Sequence, residues 1–105
     1  MKPQRRKKKR YPAGSMIVLR LYIVEGTFHS VNAVANLHAL CEKYLPNRFR
    51  LEIIDVIDHP RQIIRDRILA TPTLIKLSPS PKRTIIGDLS DERKVLAALG
   101  VPPGP

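Results

Sequence analysis

Apolar and polar residues alternate along the chain with two different periods, and these periods predict a series of strands and helices. Several short apolar runs have the composition of strands that are buried on at least one face. Residues 31–44 instead repeat apolar side chains every three or four positions, as an amphipathic helix does. The predicted strands cover 17–24, 50–57, 73–77 and 82–86, and the predicted helices cover 31–44, 59–70 and a last segment between Ser90 and Gly100.

The order of these elements, β-α-β-α-β-β-α, predicts how the strands are arranged. A strand, a helix and a second strand form by default a right-handed unit with parallel strands. Residues 78–81, Ser-Pro-Ser-Pro, predict a turn that joins the third and fourth strands into a hairpin. This arrangement resembles thioredoxin, so the expected fold is α/β and thioredoxin-like, with a four-stranded mixed sheet.

Turn and capping residues predict where the helices begin and end. Ser30, Asp58 and Ser90 each precede a helical pattern and are expected to be N-caps. A proline disfavours the helical conformation for the residue before it, so the second helix is expected to stop before Thr71-Pro72. An X-Pro bond adopts the cis form at small cost, and we predict a cis bond at this step.

Within the second helix, the spacing of apolar residues predicts which face is buried. Ile63, Ile64 and Ile68 are the expected buried positions, and Asp66 is expected on the solvated face with its arginine neighbours. On the first strand, Tyr22 is expected to pack rather than to take part in catalysis.

The formal net charge of +10 is concentrated at one end of the chain. Residues 1–10 hold seven basic side chains and no acid, and the remaining residues have a net charge of only +3. A block of like charges without apolar partners does not form a core. We therefore expect a disordered basic tail at 1–15, a folded domain at 16–100 and a Pro/Gly-rich terminus at 101–105. We interpret the tail as a solvated extension; the alternative is an arm that contacts nucleic acid or an acidic surface.

Residues that carry chemistry are few and do not form a recognisable site. A single cysteine, Cys41, excludes an internal disulfide, a CxxC redox pair and a cysteine-based zinc site. His29 and Ser30 have no acid at a triad spacing, and Glu52 and Asp55 project to opposite faces of a strand. We predict no catalytic, cofactor or metal site. No run approaches the ~18 apolar residues of a membrane span, and we expect a cytoplasmic protein.

Several motifs, taken in order, resemble the KaiB family of circadian clock proteins. The resemblance extends from about Ile17 to Leu99, and the combination of ATPTL with IIGDLS is its most specific part. The segments that carry it are Leu19–Ile23, Ser30-Val31, Ile54–Val56, Ile68–Leu74 with Lys76, and Ile85–Ser90 with Lys94–Leu96.

The resemblance implies a non-enzymatic regulator that acts through protein partners. KaiB proteins bind the ring ATPase and kinase KaiC, and in cyanobacteria also sequester KaiA. A related domain is the sensor region of the histidine kinase SasA, so the alternative is a signalling or stress-response module that acts with a histidine kinase outside a true clock. The resemblance also implies a homo-oligomer, a dimer or tetramer. Basic positions of the KaiC-binding region match Arg67, Lys76 and Arg83.

The family is also metamorphic, which implies a second, rearranged fold with the order βαββααβ. Where switching members carry glycine and, two residues later, an acid, this chain has Ala98 and Gly100. Alanine is better than glycine within a helix by about 1 kcal/mol, so we expect the thioredoxin-like state to predominate. The segment implied in switching contains Thr71, Pro72, Gly87, Asp88, Ala98 and Gly100.

Overall fold

Strands and helices follow one another in the order that the sequence predicts. The structure is a computed structural model that describes residues 16–102. The predicted tail at 1–15 and the last three residues of the predicted terminus lie outside the described residues. The elements are β1 Ile17–Ile23, α1 Phe28–Tyr44, β2 Phe49–Asp55, α2 Pro60–Asp66, β3 Thr73–Ser78, β4 Arg83–Ile86 and α3 Glu92–Leu99, with a 3-10 turn Val56–Asp58 between β2 and α2.

The strands form a four-stranded mixed sheet in the order β2-β1-β3-β4. β1 is parallel to β2 and antiparallel to β3, and β4 is antiparallel to β3. The predicted parallel unit and the predicted hairpin are therefore both present. The fold is the thioredoxin-like one, and the alternative order βαββααβ is not the one that the structure shows.

Side chains alternate along each strand, so both faces of the sheet carry buried residues. Leu19 and Leu21 of β1 belong to the main core, which lies between the sheet and the helices α1 and α3. Tyr22 points to the other face, where it packs with Ile54 and Ile75. The helical members of the main core are Ala33, Leu37, Leu40, Cys41, Val95, Leu96 and Leu99.

All three predicted N-caps are wrong because the helices begin at other residues. Ser30 lies inside α1, which starts two residues earlier; its buried hydroxyl accepts a hydrogen bond from the Val24 N–H at 3.0 Å. Ser90 precedes the true cap of α3. The Asp91 carboxylate accepts from the Lys94 N–H at 3.2 Å and occupies the N-cap instead.

The second helix is shorter than predicted, and its faces are different from those expected. α2 begins at Pro60 and ends at Asp66, so Asp58 belongs to the preceding 3-10 turn and is not its cap. Ile64 is exposed, whereas the Asp66 side chain is only 9% exposed. The prediction of a solvated Asp66 is wrong because this carboxylate turns toward the sheet, where polar partners receive it.

Candidate partner-binding surface

A group of polar side chains attaches the end of α2 to the sheet. The Tyr22 hydroxyl, which is fully buried, donates a hydrogen bond to Asp66 Oδ2. Arg20 Nη1 donates to the same oxygen at 3.1 Å, and Arg20 Nε donates to Glu52 Oε1 at 2.8 Å. These four residues, which we call the Asp66 network, connect β1, β2 and the last residue of α2.

The charges in the Asp66 network are set by opposing effects. Burial alone would raise the pKa of Asp66, but hydrogen bonds from Tyr22 and Arg20 and the guanidinium charge outweigh it, so this pKa lies below its usual value. Burial raises the pKa of Tyr22, and the hydrogen bond to Asp66 raises it further. The hydrogen bond to Glu52 raises the pKa of Arg20. At neutral pH an ionised Asp66 therefore accepts from a neutral phenol and a charged guanidinium.

Arg67, which directly follows the last residue of α2, has a left-handed backbone conformation with φ 56° and ψ 49°. Its N–H bonds to the Ile64 carbonyl at 3.2 Å, and the Ile68 N–H bonds to the Ile63 carbonyl at 2.9 Å. This is the pattern that often closes a helix, but it usually has glycine at the left-handed position. Because hydrogen bonds fix Asp66 to the sheet, they also fix the position of the Arg67 backbone next to it. The exposed Arg67 side chain therefore projects from a fixed backbone position.

Replacing Arg67 with glycine is expected to raise the free energy of unfolding by about 0.5–1 kcal/mol. The left-handed conformation costs an L-residue about 1–2 kcal/mol, and the extra backbone entropy of glycine takes back about half of that. Urea denaturation measures the change. Arg65→Gly is the matched control: it removes the same side chain from inside α2 and should destabilise by about 1 kcal/mol. Equal losses in both variants would contradict the left-handed assignment.

The turn before β3 brings most of the predicted switching segment together. The bond between Thr71 and Pro72 is cis, the isomer predicted from the sequence. The Pro72 carbonyl accepts a hydrogen bond from the Gly87 N–H at 2.9 Å, which holds the start of β3 beside the end of β4. Asp88 follows, and its carbonyl accepts from Asn36 Nδ2 at 2.9 Å. These contacts connect the turn to α1.

The other two residues of that segment lie elsewhere, at the end of α3. Ala98 is half-buried and packs against the main core. Gly100 ends the helix with φ 75°, and its N–H bonds to the Ala97 carbonyl at 3.2 Å. A role of Ala98 and Gly100 in the balance between two folds remains a prediction.

The three candidate contact residues fall into two groups. Lys76 and Arg83 are cross-strand partners on β3 and β4, whereas Arg67 is on the segment that follows α2. Arg67 and Arg83 are exposed, but Lys76 is only 4% exposed. This burial argues against direct contact between Lys76 and a partner in this arrangement. Like charges directly opposite each other on a sheet are unfavourable, and an anionic partner would relieve that cost.

One end of the sheet carries exposed apolar side chains that sequence reasoning did not single out. We call this set the apolar edge: Phe28, Ile57, Leu69 and Ile86, which lie where β1, β2 and β4 end and where β3 begins. Leu69 is 91% exposed. In the sequence, these residues lie in the connections next to predicted strands or, for Ile86, at the end of one. Contiguous exposed apolar surface marks protein interaction sites, so the position of these four residues at one end of the sheet makes that end a candidate.

The positions of the thioredoxin cysteines hold hydroxyl groups that bond locally. Thr27 Oγ1 donates to the Val24 carbonyl at 2.7 Å, and the Ser30 hydroxyl accepts from the N–H of the same residue. The single cysteine, Cys41, is buried in the main core, where desolvation and then the charge of Glu42 raise its pKa to about 12. Its thiol is therefore protonated at neutral pH and packs as a small apolar side chain.

Residues 16–102 contain neither a cluster of metal ligands nor a helix that could span a membrane. In this part of the chain, no cluster of three or more His, Cys, Asp or Glu side chains could hold a metal ion. None of the described helices is both long and apolar enough to cross a bilayer.

Comparison with known proteins identifies relatives over most of the chain. The family model for the KaiB domain matches residues 20–101. Circadian clock protein KaiB3 of Synechocystis sp. (strain ATCC 27184 / PCC 6803 / Kazusa) is 44% identical over 87 residues, which cover 83% of this chain and 85% of that protein. Circadian clock oscillator protein KaiB of Cyanothece sp. (strain PCC 7425 / ATCC 29141) is also 44% identical, over 88 residues that cover 84% of each chain.

Solved structures with the same fold have much lower sequence identity. The N-terminal domain of SasA from Synechococcus elongatus superimposes with a TM-score of 0.69 at 21% identity, covering 95% of this chain and 98% of that domain. Chloroplastic thioredoxin z superimposes with a TM-score of 0.70 at 17% identity, covering 82% of this chain and 77% of that one. At such identities the likeness shows the thioredoxin-like fold alone.

Proposed function

This chain belongs to the KaiB family, and from that premise we propose that it is a regulatory protein that binds a KaiC-type ATPase and kinase. Its curated relatives are circadian clock proteins. The proposed role is to modulate circadian or related timing signals through this contact, without catalysing a reaction. KaiA is a further partner that membership of the family suggests.

The apolar edge is the observation that carries this proposal. Leu69 and Phe28 expose most of their apolar surface next to the cis-proline turn, where a thioredoxin would place its dithiol. With hydroxyl groups at the two cysteine positions, that end of the sheet has no redox pair, yet it retains an apolar surface of the kind that protein interfaces bury at their centre.

The Asp66 network holds the segment after α2, which forms part of this surface, in a fixed position. It fixes the end of α2, so Arg67 and the exposed Leu69 follow an anchored residue rather than a free helix end. A surface that is ordered before binding loses less conformational entropy when the partner arrives. We propose Arg67 and Leu69 as the primary contacts and Arg83, on β4, as a second one; Lys76 would act through its charge beside Arg83.

Binding to a purified KaiC homologue tests the proposal. Leu69→Asp and Arg67→Glu are each expected to weaken binding at least about tenfold, because central contacts dominate interface energy. Lys76→Glu and Arg83→Glu test the contribution of the basic pair on β3 and β4. Affinity is measured by biolayer interferometry.

Each control makes the same type of substitution at an exposed residue away from the proposed surface. Met16→Asp alters an exposed apolar residue before β1, and Arg93→Glu reverses an exposed charge on α3; both should leave affinity unchanged. Wild-type affinity in the Leu69 and Arg67 variants would show that the surface is wrong. A wild-type protein that does not bind would contradict the KaiC assignment and favour a module that acts with a histidine kinase.

A further inference from the structure

The strand β2 forms one side of the sheet, and its outer edge has no neighbouring strand among the residues that the structure describes. On its inner side, β2 pairs with β1 along all seven of its residues, Phe49–Asp55. We call the outer side of this strand the β2 edge. An open edge presents backbone N–H and C=O groups with which another strand can pair.

The opposite side of the sheet, formed by β4, is protected against such pairing. β4 has only four residues, and Pro81 and Lys82 come directly before it. Short strands, prolines and lysines are features by which proteins prevent pairing at an edge. β2 is longer and contains neither proline nor lysine, so of these two edges it is the one suited to accept a further strand.

Hydrogen bonds to β1 determine which backbone groups of β2 point outward. The Ile17 N–H bonds to the Arg48 carbonyl at 2.9 Å. In a parallel pair, every second residue of a strand bonds to the same neighbour, so Arg50 and Glu52 also bond toward β1. The residues between them direct their N–H and C=O groups to the β2 edge: Phe49, Leu51 and Ile53.

Between residues 49 and 53, the two faces of β2 carry different kinds of side chain. Phe49 and Leu51 are partly buried against the main core, and Ile53, on the same face, is 40% exposed. Arg50 and Glu52 project from the other face, and both are exposed. The β2 edge is therefore apolar on one face and carries one charge of each sign on the other.

We propose that the β2 edge pairs with the β2 edge of a second copy of this chain, so that an antiparallel contact joins two sheets into one. A two-fold axis perpendicular to the sheet passes between the two copies of Leu51. Phe49 then lies opposite Ile53 of the second copy, and Arg50 lies opposite Glu52. The residues whose backbone groups point outward become the hydrogen-bonded pairs, each of which exchanges two N–H···O bonds.

The charges select this register. Arg50 and Glu52 of the second copy meet at a non-hydrogen-bonded position, where opposed side chains are closest, and symmetry forms the same pair twice. Shifting one strand by two residues would place Arg50 opposite Arg50 or Glu52 opposite Glu52, which is unfavourable. A shift by one residue would place charged side chains on the apolar face. The strand is therefore complementary to itself in one alignment.

Glu52 can form this pair and remain in the Asp66 network. Its Oε1 accepts from Arg20 Nε at 2.8 Å, and its side chain is 55% exposed. A carboxylate has acceptor positions for more than one donor. On the other face, the contact removes the exposed apolar surface of Ile53 from water. The β2 edge runs along the side of the sheet, whereas the apolar edge lies at its end, so this proposal does not rest on KaiC binding.

Sedimentation equilibrium tests the proposal with the full chain. Wild-type protein should be half dimeric at between about 10 and 200 μM, because two strands bury less surface than the about 1,200–2,000 Å² of a standard interface. Arg50→Glu and Glu52→Lys each place like charges opposite one another twice, so each should weaken dimerisation at least about tenfold. An equimolar mixture of these two variants restores opposite charges at both positions and should form a heterodimer.

Proline substitutions test the backbone pairing. Ile53→Pro removes an N–H that points outward and leaves the bonds to β1 in place, so it should abolish dimerisation. Thr84→Pro is the matched control on the other side of the sheet. The Gly87 N–H bonds to β3 at the Pro72 carbonyl, so the alternating N–H of the exposed Thr84 points outward. This variant should dimerise as the wild type does, and circular dichroism checks that both variants fold.

Amide hydrogen exchange followed by NMR locates the contact. Exchange at Phe49, Leu51 and Ile53 should slow as the protein concentration rises, whereas Arg50 and Glu52 should be protected at every concentration. A wild-type chain that stays monomeric would leave the β2 edge to a strand of another protein and would overturn the proposal. Dimers that persist in Ile53→Pro, or exchange at these three residues that does not depend on concentration, would show a different interface. A mixture of the charge variants that stays monomeric would contradict the register.

Discussion

Replacing Asp66 with alanine is expected to lower the free energy of unfolding by about 3 kcal/mol, because it leaves buried polar groups without a partner. The carboxylate accepts from both Tyr22 and Arg20, and its side chain is almost excluded from water. Without it, the phenol remains buried with no acceptor and the guanidinium loses one of its two anionic partners. Urea denaturation followed by circular dichroism measures the change.

Two variants separate this loss from the general effect of removing a charge. Tyr22→Phe removes one donor but leaves Arg20 bound to Asp66, so about 1 kcal/mol is expected. Glu52→Ala breaks an ion pair whose acidic side chain is 55% exposed, and solvent screening limits its effect to below about 1 kcal/mol. A loss for Asp66→Ala no greater than that for Glu52→Ala would contradict the role of the network.

The same measurement repeated at several pH values shows the sign of the electrostatic contribution. The folded protein lowers the pKa of Asp66, so its stabilisation is fully present above the unfolded value of about 4 and is lost as the pH falls through the folded value. Wild-type stability should therefore decline below about pH 4 more steeply than that of Asp66→Asn. Equal declines would show that Asp66 is not the titrating group.

Replacing Gly87 with alanine is expected to lower the free energy of unfolding by about 2 kcal/mol, because φ at this position is 127° and L-residues rarely adopt such a value. The cause is the backbone alone, since an added Cβ would meet no atom within 4 Å. Relief of the strain would shift the backbone and weaken the hydrogen bond from Gly87 to the Pro72 carbonyl. Thermal and urea denaturation measure the effect.

Gly26→Ala is the comparison, because that glycine also has open space around it but a φ of 83°, near the left-handed region that other residues tolerate. A cost of about 1 kcal/mol is expected there. If Gly87→Ala costs less than Gly26→Ala, the end of β4 does not have the conformation described.

Helix boundaries show where prediction from sequence was weakest. Ser30 and Ser90 have good capping side chains, yet neither caps its helix, because the true N-caps, Thr27 and Asp91, lie three residues and one residue away. A serine hydroxyl that could cap a helix can instead accept a hydrogen bond from a backbone N–H in another segment. The Ser30 hydroxyl accepts one from the Val24 N–H in this way. Packing of the whole helix decides between these uses, and a local pattern carries no information about it.

Asp66 shows that a local sequence pattern also fails to predict which side chains are buried. A charged residue among arginines on a short helix is typical of a solvated face, so the prediction followed the usual preference of the residue type. The partners that bury it, Arg20 and Tyr22, lie 46 and 44 positions earlier in the chain. Lys76 is a similar case, because only the sheet shows that this candidate contact is buried beside Arg83.

The sequence by itself determined the order of elements, the thioredoxin-like arrangement, the absence of a dithiol and the resemblance to KaiB, because periodicity, turn residues and motifs are local properties. Only the tertiary structure decided which side chains meet. It formed the Asp66 network, placed Phe28 and Leu69 at one end of the sheet, and buried Lys76 beside Arg83. Such contacts join distant residues through strand register and helix packing, which depend on the sum of many small interactions across the whole fold.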